Sequence, residues 1–112
     1  MPEKTSPDML TELQAIIADR QQNPKPGSYT NSLFDAGMSR IAQKVGEEAT
    51  EVVVAALSQT RDLQIAELSD LFYHTLVLMA AKGITLDDVY AELEKRHGAH
   101  KDSGARKADS VG

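Results

Sequence analysis

Residues 38–82 read MSRIAQKVGEEATEVVVAALSQTRDLQIAELSDLFYHTLVLMAAK and predict two long helices. The second of these runs from near Asp62 to Lys82 and stops before Gly83, a residue suited to the left-handed turn that ends helices. The first runs from about Met38 to Ser58. Apolar residues at three- and four-residue spacing form one stripe along it: Ile41, Val45, Ala49, Val52 and Ala56.

The later helix is apolar on nearly every side. A helix that is apolar all round is buried all round, and a chain of 112 residues has few helices with which to cover it. A second copy of the chain could supply the missing cover, so the pattern predicts a homo-oligomer. The residues concerned are Leu71, Phe72, Leu76, Val77, Leu78, Met79 and Ala80.

The flanking segments complete a bundle of four main helices. An opening helix follows Ser6-Pro7-Asp8, and residues 31–36 form a short lead-in to the long pair. A last helix starts at the cap Thr85–Asp88, with Val89, Leu93 and Tyr90 turned inward. No stretch alternates like a strand. We therefore expect an all-α domain over residues 1–97 and a disordered tail over 98–112.

Composition narrows the function. The chain has 17 acidic and 12 basic residues, and residues 47–70 account for its whole net charge of −5. No basic stripe is present, which argues against a nucleic-acid partner. The absence of cysteine excludes disulfides and thiol catalysis. No signal peptide or membrane-spanning run is found, so we expect a cytoplasmic protein without a membrane partner.

Two pairs of carboxylates are spaced three residues apart: Glu48 with Glu51, and Glu67 with Asp70. Each pair borders an apolar stripe, so all four are expected at the seam between the long helices. Such a cluster is costly unless paired or bound to metal, and oxygen ligands favour Mg²⁺ or Mn²⁺. Metal-assisted phosphate chemistry is the predicted activity. The alternative is a solvated acidic face.

Three motifs resemble the phosphoribosyl-ATP pyrophosphohydrolases, members of the all-α, MazG-like nucleoside-triphosphate pyrophosphohydrolases. They are GSYTNSLF from Gly27, RIAQKVGEEATEVVVAA from Arg40 and ELSDLFYHTLVLM from Glu67. The resemblance spans about residues 8–97. It implies Mg²⁺-dependent cleavage between the α- and β-phosphates of phosphoribosyl-ATP, which yields phosphoribosyl-AMP and pyrophosphate in the second step of histidine biosynthesis. It also implies a homodimer and, without cysteines for a fused zinc domain, a single activity.

The resemblance assigns roles by position. The metal ligands would be Glu48, Glu51, Glu67 and Asp70. Catalytic roles fall to Lys44 and to Glu47, a base or outer-sphere ligand. Arg40 and Lys44 would contact phosphates, and Ser28, Tyr29 and His74 are further candidates for binding substrate.

Gly46, inside a helix, indicates the close approach of a neighbouring helix or ligand.

Two other functions fit the same sequence. One is hydrolysis of a different nucleoside triphosphate by the same carboxylates. The other is a helical dimerisation module without catalysis, in which the acidic seam binds no divalent cation.

Overall fold

The computed structural model describes residues 8–98, which are helical almost throughout. It has five α-helices and a final π-helical turn, and no strand occurs within this range. The helices are α1 (Met9–Gln22), α2 (Tyr29–Ala36), α3 (Met38–Ser58), α4 (Arg61–Lys82) and α5 (Leu86–Leu93), followed by Glu94–Gly98. The predicted all-α class is confirmed.

The two long helices lie where the sequence predicts them. Only Gln59 and Thr60 separate α3 from α4, so the two helices turn back and pack against each other along the seam. The Thr60 hydroxyl accepts a hydrogen bond from the Leu63 amide and begins α4. Gly83 ends it with φ +72°, the left-handed conformation that was predicted.

The predicted lead-in over residues 31–36 is a complete helix, so the bundle has five helices instead of four. Ser28 begins α2 because its hydroxyl accepts a hydrogen bond from the Asn31 amide. Gly37 ends α2 and begins α3 at φ +96°, a conformation that other residues rarely adopt. This sharp turn brings α2 alongside α3 and α4.

The core lies where α1, α2 and α5 cover the long pair. Seven buried apolar residues form it: Ile17, Leu33, Ile41, Leu76, Val77, Met79 and Leu86. The predicted stripe of α3 is correct at Ile41 but wrong at Ala56, which is exposed, whereas Ala55 is buried. Ala55 lies on the opposite edge of the stripe, because the face covered by α4 shifts across α3 towards its end.

The last helix packs differently from the prediction. Leu86 is its only buried residue, and the Leu86 amide donates to the side chain of Gln14 at 2.7 Å, which attaches α5 to α1. The inward orientation predicted for Val89, Leu93 and Tyr90 is wrong, since all three are exposed. The helix has eight residues, and only its first turn reaches the core. Thr85 and Asp88 form the predicted cap at its start.

The all-round apolar surface of α4 is only partly covered in one chain. Leu76, Val77 and Met79 are buried, but Phe72 is 50% exposed. No described helix is long and apolar enough to cross a membrane. The opening Ser6-Pro7 and the tail predicted for residues 98–112, apart from Gly98, lie outside the described residues.

Candidate metal and phosphate site

Three of the predicted carboxylates meet at the seam between α3 and α4. Glu48 projects from α3, while Glu67 and Asp70 project from adjacent turns of α4. One oxygen from each lies within 4.8 Å of the other two. The three-residue spacing on α4 aims both side chains at the same point, opposite the turn of α3 that holds Glu48.

The electrostatics of this cluster are unfavourable without a counter-charge. Partial desolvation raises the pKa of Glu67 above its usual value, and the negative charges of Glu51, Asp70 and Glu48 raise it further. A hydrogen bond with Glu48 acts in the same direction. Glu67 is therefore held beside carboxylates that repel its ionised form.

The donor set fits a hard divalent cation. Each member offers a carboxylate oxygen, the ligand type that Mg²⁺ and Mn²⁺ prefer. A cation at this point would neutralise the repulsion that raises the pKa of Glu67. Glu48, Glu67 and Asp70 are thus the residues that could hold it.

Glu51, the fourth predicted ligand, is not part of this convergent group. It lies one turn beyond Glu48 on α3 and is exposed. Its charge is nevertheless the largest single charge effect on the pKa of Glu67. The side chain is close enough to act on the cluster, and its role as a ligand stays a prediction.

The basic residues of α3 lie on one side of the carboxylates. The Lys44 ammonium is 3.5 Å from Glu48 and 3.4 Å from Glu47, with 18% of the side chain exposed. Burial alone would lower the pKa of Lys44, but a hydrogen bond to Glu47 and nearby negative charge raise it. Lys44 therefore stays protonated at the edge of the cluster. Arg40, one turn earlier, is exposed.

Glu47 is not among the convergent carboxylates. Gln43 donates a hydrogen bond to it at 2.9 Å. The hydrogen bonds from Gln43 and Lys44, together with the positive charges of Lys44 and Arg40, lower the pKa of Glu47. This carboxylate is ionised at neutral pH and is a weak base. The arrangement suits it to orienting Lys44.

Beside Asp70, α2 contacts α4 through aromatic and hydroxyl groups. The Tyr29 hydroxyl is 2.9 Å from Nε2 of His74, and Nδ1 of His74 is 2.8 Å from the backbone carbonyl of Asp70. Both ring nitrogens of His74 thus have protein partners. Thr30 and Tyr73 form a second hydrogen bond between the same two helices.

The loop before α2 borders a cavity of about 610 Å³. Ser28 and Tyr29 line it together with Lys25, so the two predicted binding residues of this loop share one surface. Ser28 is also the cap of α2. The residues that line the cavity are Pro24, Lys25, Pro26, Gly27, Ser28, Tyr29, Asn31, Ser32 and Asp35.

Asn31 is the residue of this region that sequence reasoning missed. Its buried side chain accepts from the Lys25 amide and donates to the Arg20 carbonyl, each at 2.8 Å. It thereby attaches the proline-rich loop to the end of α1. Its neighbours Thr30 and Ser32 are polar as well, so no sequence pattern distinguished Asn31 from them.

The three motifs lie within a region of the chain that matches a known protein family. Residues 10–97 match the family described as PRA-PH, phosphoribosyl-ATP pyrophosphohydrolase. The chain belongs to this family. Membership confirms the resemblance found in the sequence motifs and the predicted hydrolase class.

Relatives of the phosphoribosyl-ATP pyrophosphohydrolase family align over most of the chain. The phosphoribosyl-ATP pyrophosphatase of Sulfurisphaera tokodaii is 53% identical over 91 residues, which make up 81% of this chain and 97% of that protein. The protein of the same name from Listeria monocytogenes serotype 4a is 52% identical over 99 residues, 88% of this chain and 95% of its own.

A longer relative is also similar. The histidine biosynthesis bifunctional protein HisIE of Caldanaerobacter subterraneus is 50% identical over 90 residues, or 80% of this chain. These residues make up 44% of that protein, so the chain spans less than half of its length.

Proposed function

We propose that the protein hydrolyses phosphoribosyl-ATP between its α- and β-phosphates, releasing phosphoribosyl-AMP and pyrophosphate in cytoplasmic histidine biosynthesis. The supporting observation is the convergence of Glu48, Glu67 and Asp70 at one seam of a chain that belongs to this family. In the reaction, water adds to one phosphorus atom and the bridging oxygen leaves with the other.

The proposal includes Mg²⁺ held by the convergent carboxylates, with Glu51 as a fourth ligand. When bound, the cation supplies charge neutralisation for the phosphates and lowers the pKa of a coordinated water. Mn²⁺ has the same preference for oxygen ligands and is expected to substitute.

The residues of the chain have separate tasks in this proposal. Lys44 stays protonated beside the cluster and contacts phosphate oxygens, where a fixed positive charge stabilises the charge that develops during the reaction. Glu47 orients Lys44 through their ion pair. Arg40, exposed one turn before Lys44 on α3, contributes a second positive charge for the phosphates.

We also propose that the active form is a homodimer. A groove of about 480 Å³ lies between α1, α4 and α5 and is almost entirely apolar. Phe72 is half exposed there, although it is a large aromatic side chain on a central helix. A second copy of the chain would remove this surface from water. The groove is lined by Leu10, Leu71, Phe72, Thr75, Leu76, Met79, Leu86, Val89 and Leu93.

The direct test is the release of pyrophosphate from phosphoribosyl-ATP by the purified protein. The reaction is run with Mg²⁺ and with excess chelator, beside ATP and dUTP as control substrates. We expect release only from phosphoribosyl-ATP with Mg²⁺. The Asp70→Asn variant, which keeps the shape of the side chain but removes its charge, is expected to be inactive.

The other results point to the alternative functions. Release from ATP or dUTP at a similar rate would assign the carboxylates to a broader nucleoside-triphosphate pyrophosphohydrolase. No release from any nucleotide, with no stabilisation by Mg²⁺, would favour the non-catalytic dimerisation module.

A further inference from the structure

His74 is buried in α4, with 6% of its surface exposed, and each of its ring nitrogens lies within hydrogen-bond distance of another group of the chain. The Asp70 carbonyl beside Nδ1 can only accept a hydrogen bond. In the neutral ring Nδ1 therefore bears the proton, and Nε2 accepts the hydrogen bond from the Tyr29 hydroxyl. The backbone of α4 thus determines which way the Tyr29 O–H points.

Tyr29 connects this buried pair with the open part of the site. The side chain is 50% exposed and borders the loop cavity. It also lies near enough to Lys44 to contribute to the raised pKa of that ammonium. Tyr29 therefore stands between the cavity and the carboxylate seam, with its hydroxyl proton directed inward to His74.

The attachment of α2 to α4 does not depend on His74 alone. Thr30 and Tyr73 form their own hydrogen bond, and the rings of Tyr29 and Tyr73 stack with centroids 6.1 Å apart. Loss of the Tyr29–His74 bond would leave α2 in place and would free only the Tyr29 side chain. This separates the orientation of Tyr29 from the docking of the helix.

We propose that His74 is a positioning residue, whose Nε2 fixes Tyr29 at the boundary between the loop cavity and the carboxylate seam. Tyr29 contacts the substrate, and His74 acts through it. The expected change in KM rests on the proposed function, because it requires turnover of the proposed substrate. The hydrogen-bonded tautomer that the inference requires can be measured without any substrate.

The kinetic test uses two amides that each preserve one nitrogen position of the ring. In His74→Asn the amide replaces Nδ1 and the acceptor for Tyr29 is lost, whereas in His74→Gln the amide replaces Nε2 and the acceptor is kept. We expect His74→Asn to raise KM about fivefold, the size of one neutral hydrogen bond, with kcat changed by less than about twofold. His74→Gln should stay within about twofold of wild type in both constants.

A double-mutant cycle links the effect to Tyr29. Tyr29→Phe removes the hydroxyl, and adding His74→Asn to it should cause no further rise in KM. Tyr73→Phe is the matched control, since it removes the other α2–α4 hydrogen bond and keeps the ring. We expect it to lower the unfolding temperature without raising KM. Equal losses in His74→Asn and His74→Gln, or additive effects with Tyr29→Phe, would overturn the proposal.

The second measurement is nitrogen NMR of protein labelled with ¹⁵N-histidine. The His74 signals are identified by their absence in His74→Gln. We expect the tautomer protonated on Nδ1, with an Nε2 shift that moves in Tyr29→Phe and not in Tyr73→Phe. A proton on Nε2, or an Nε2 shift that ignores Tyr29→Phe, would overturn the inference. If the wild-type protein shows no activity, the proposed function is refuted. The NMR measurement still decides whether His74 accepts the hydrogen bond from Tyr29.

Discussion

One carboxylate oxygen of Glu67 on α4 lies within 4.8 Å of one from Glu48 on α3. Desolvation raises the pKa of Glu67, and the negative charges of Glu51, Asp70 and Glu48 raise it further. Glu48 and Glu67 are 19 positions apart in the sequence, but the short connection between the two helices brings them together. In most proteins such a pair would reduce stability without compensation. A divalent cation bound there, as proposed above, would offset the repulsion among these carboxylates.

We first predict that Glu67→Gln raises the melting temperature of the metal-free protein at pH 7. A raised pKa means that the folded chain binds this proton more tightly than the unfolded chain. The stabilising contribution is present below the usual glutamate pKa and is lost as the pH rises through the raised value. The glutamine side chain is neutral at every pH, so the variant avoids the stability that wild type loses when Glu67 ionises. The difference in melting temperature between the variant and wild type should therefore shrink towards pH 4. Thermal unfolding in chelator between pH 4 and 8 measures it.

Glu92→Gln is the control of opposite sign. A hydrogen bond from Arg96, at 3.0 Å, and the charge of Lys95 lower the pKa of Glu92. Ionised Glu92 therefore stabilises the fold at neutral pH, and this stabilisation is lost as the pH falls. The Glu92→Gln variant should melt at a slightly lower temperature than wild type at pH 7. A lower melting temperature for Glu67→Gln at pH 7 would show that the carboxylates do not repel one another in the metal-free protein.

A second prediction tests Glu51, the proposed fourth ligand, beside the three convergent carboxylates. We expect Asp70→Asn to lower kcat/KM about a hundredfold or more and to abolish the rise in melting temperature caused by Mg²⁺. Glu51→Gln should cause a comparable loss of turnover, because Glu51 is proposed as the fourth ligand of the cation. Pyrophosphate release and thermal unfolding with and without Mg²⁺ measure both effects. A Glu51→Gln variant with full activity would remove Glu51 from the ligand set.

The sequence was sufficient for the long helices and for most of the acidic seam. Apolar spacing places α3 and α4, and the two three-residue carboxylate pairs indicate which faces meet. Ala55, and not Ala56, is buried because helices in contact do not stay in register along their whole length. A single helical wheel treats the covered face as straight, so it fails first at the end of a long helix.

Helical periodicity does not predict the contacts made by His74, Tyr29 and Asn31. Tyr29 and His74 are 45 residues apart, and their hydrogen bond depends on how the short α2 lies across α4. That placement follows from the glycine turn at Gly37 and the attachment of the loop by Asn31. Local patterns identify each residue as a candidate, whereas only tertiary packing shows which groups face one another.

A third prediction concerns the dimer. Phe72→Ser should convert the protein to a monomer, since it removes a large apolar side chain from the exposed groove of α4. Ile16→Ser is the matched control, because Ile16 is 47% exposed on α1 outside this groove. Sedimentation equilibrium should give a monomer for the first variant and a dimer for the second and for wild type. A monomeric wild type would contradict the proposed assembly.

The last prediction concerns Gly46 in the middle of α3. A glycine inside a helix predicts a close neighbour, yet a Cβ at this position would meet no atom of the described residues within 4 Å. Glycine in a helix interior is less stable than alanine by about 1 kcal/mol, so Gly46→Ala should raise the free energy of unfolding by about that amount. Urea unfolding measures the change, and Ala42→Gly, at an exposed position of the same helix, should lower it similarly. Destabilisation by Gly46→Ala would indicate that a second subunit occupies the open space, because nothing in residues 8–98 of the same chain opposes the added methyl group.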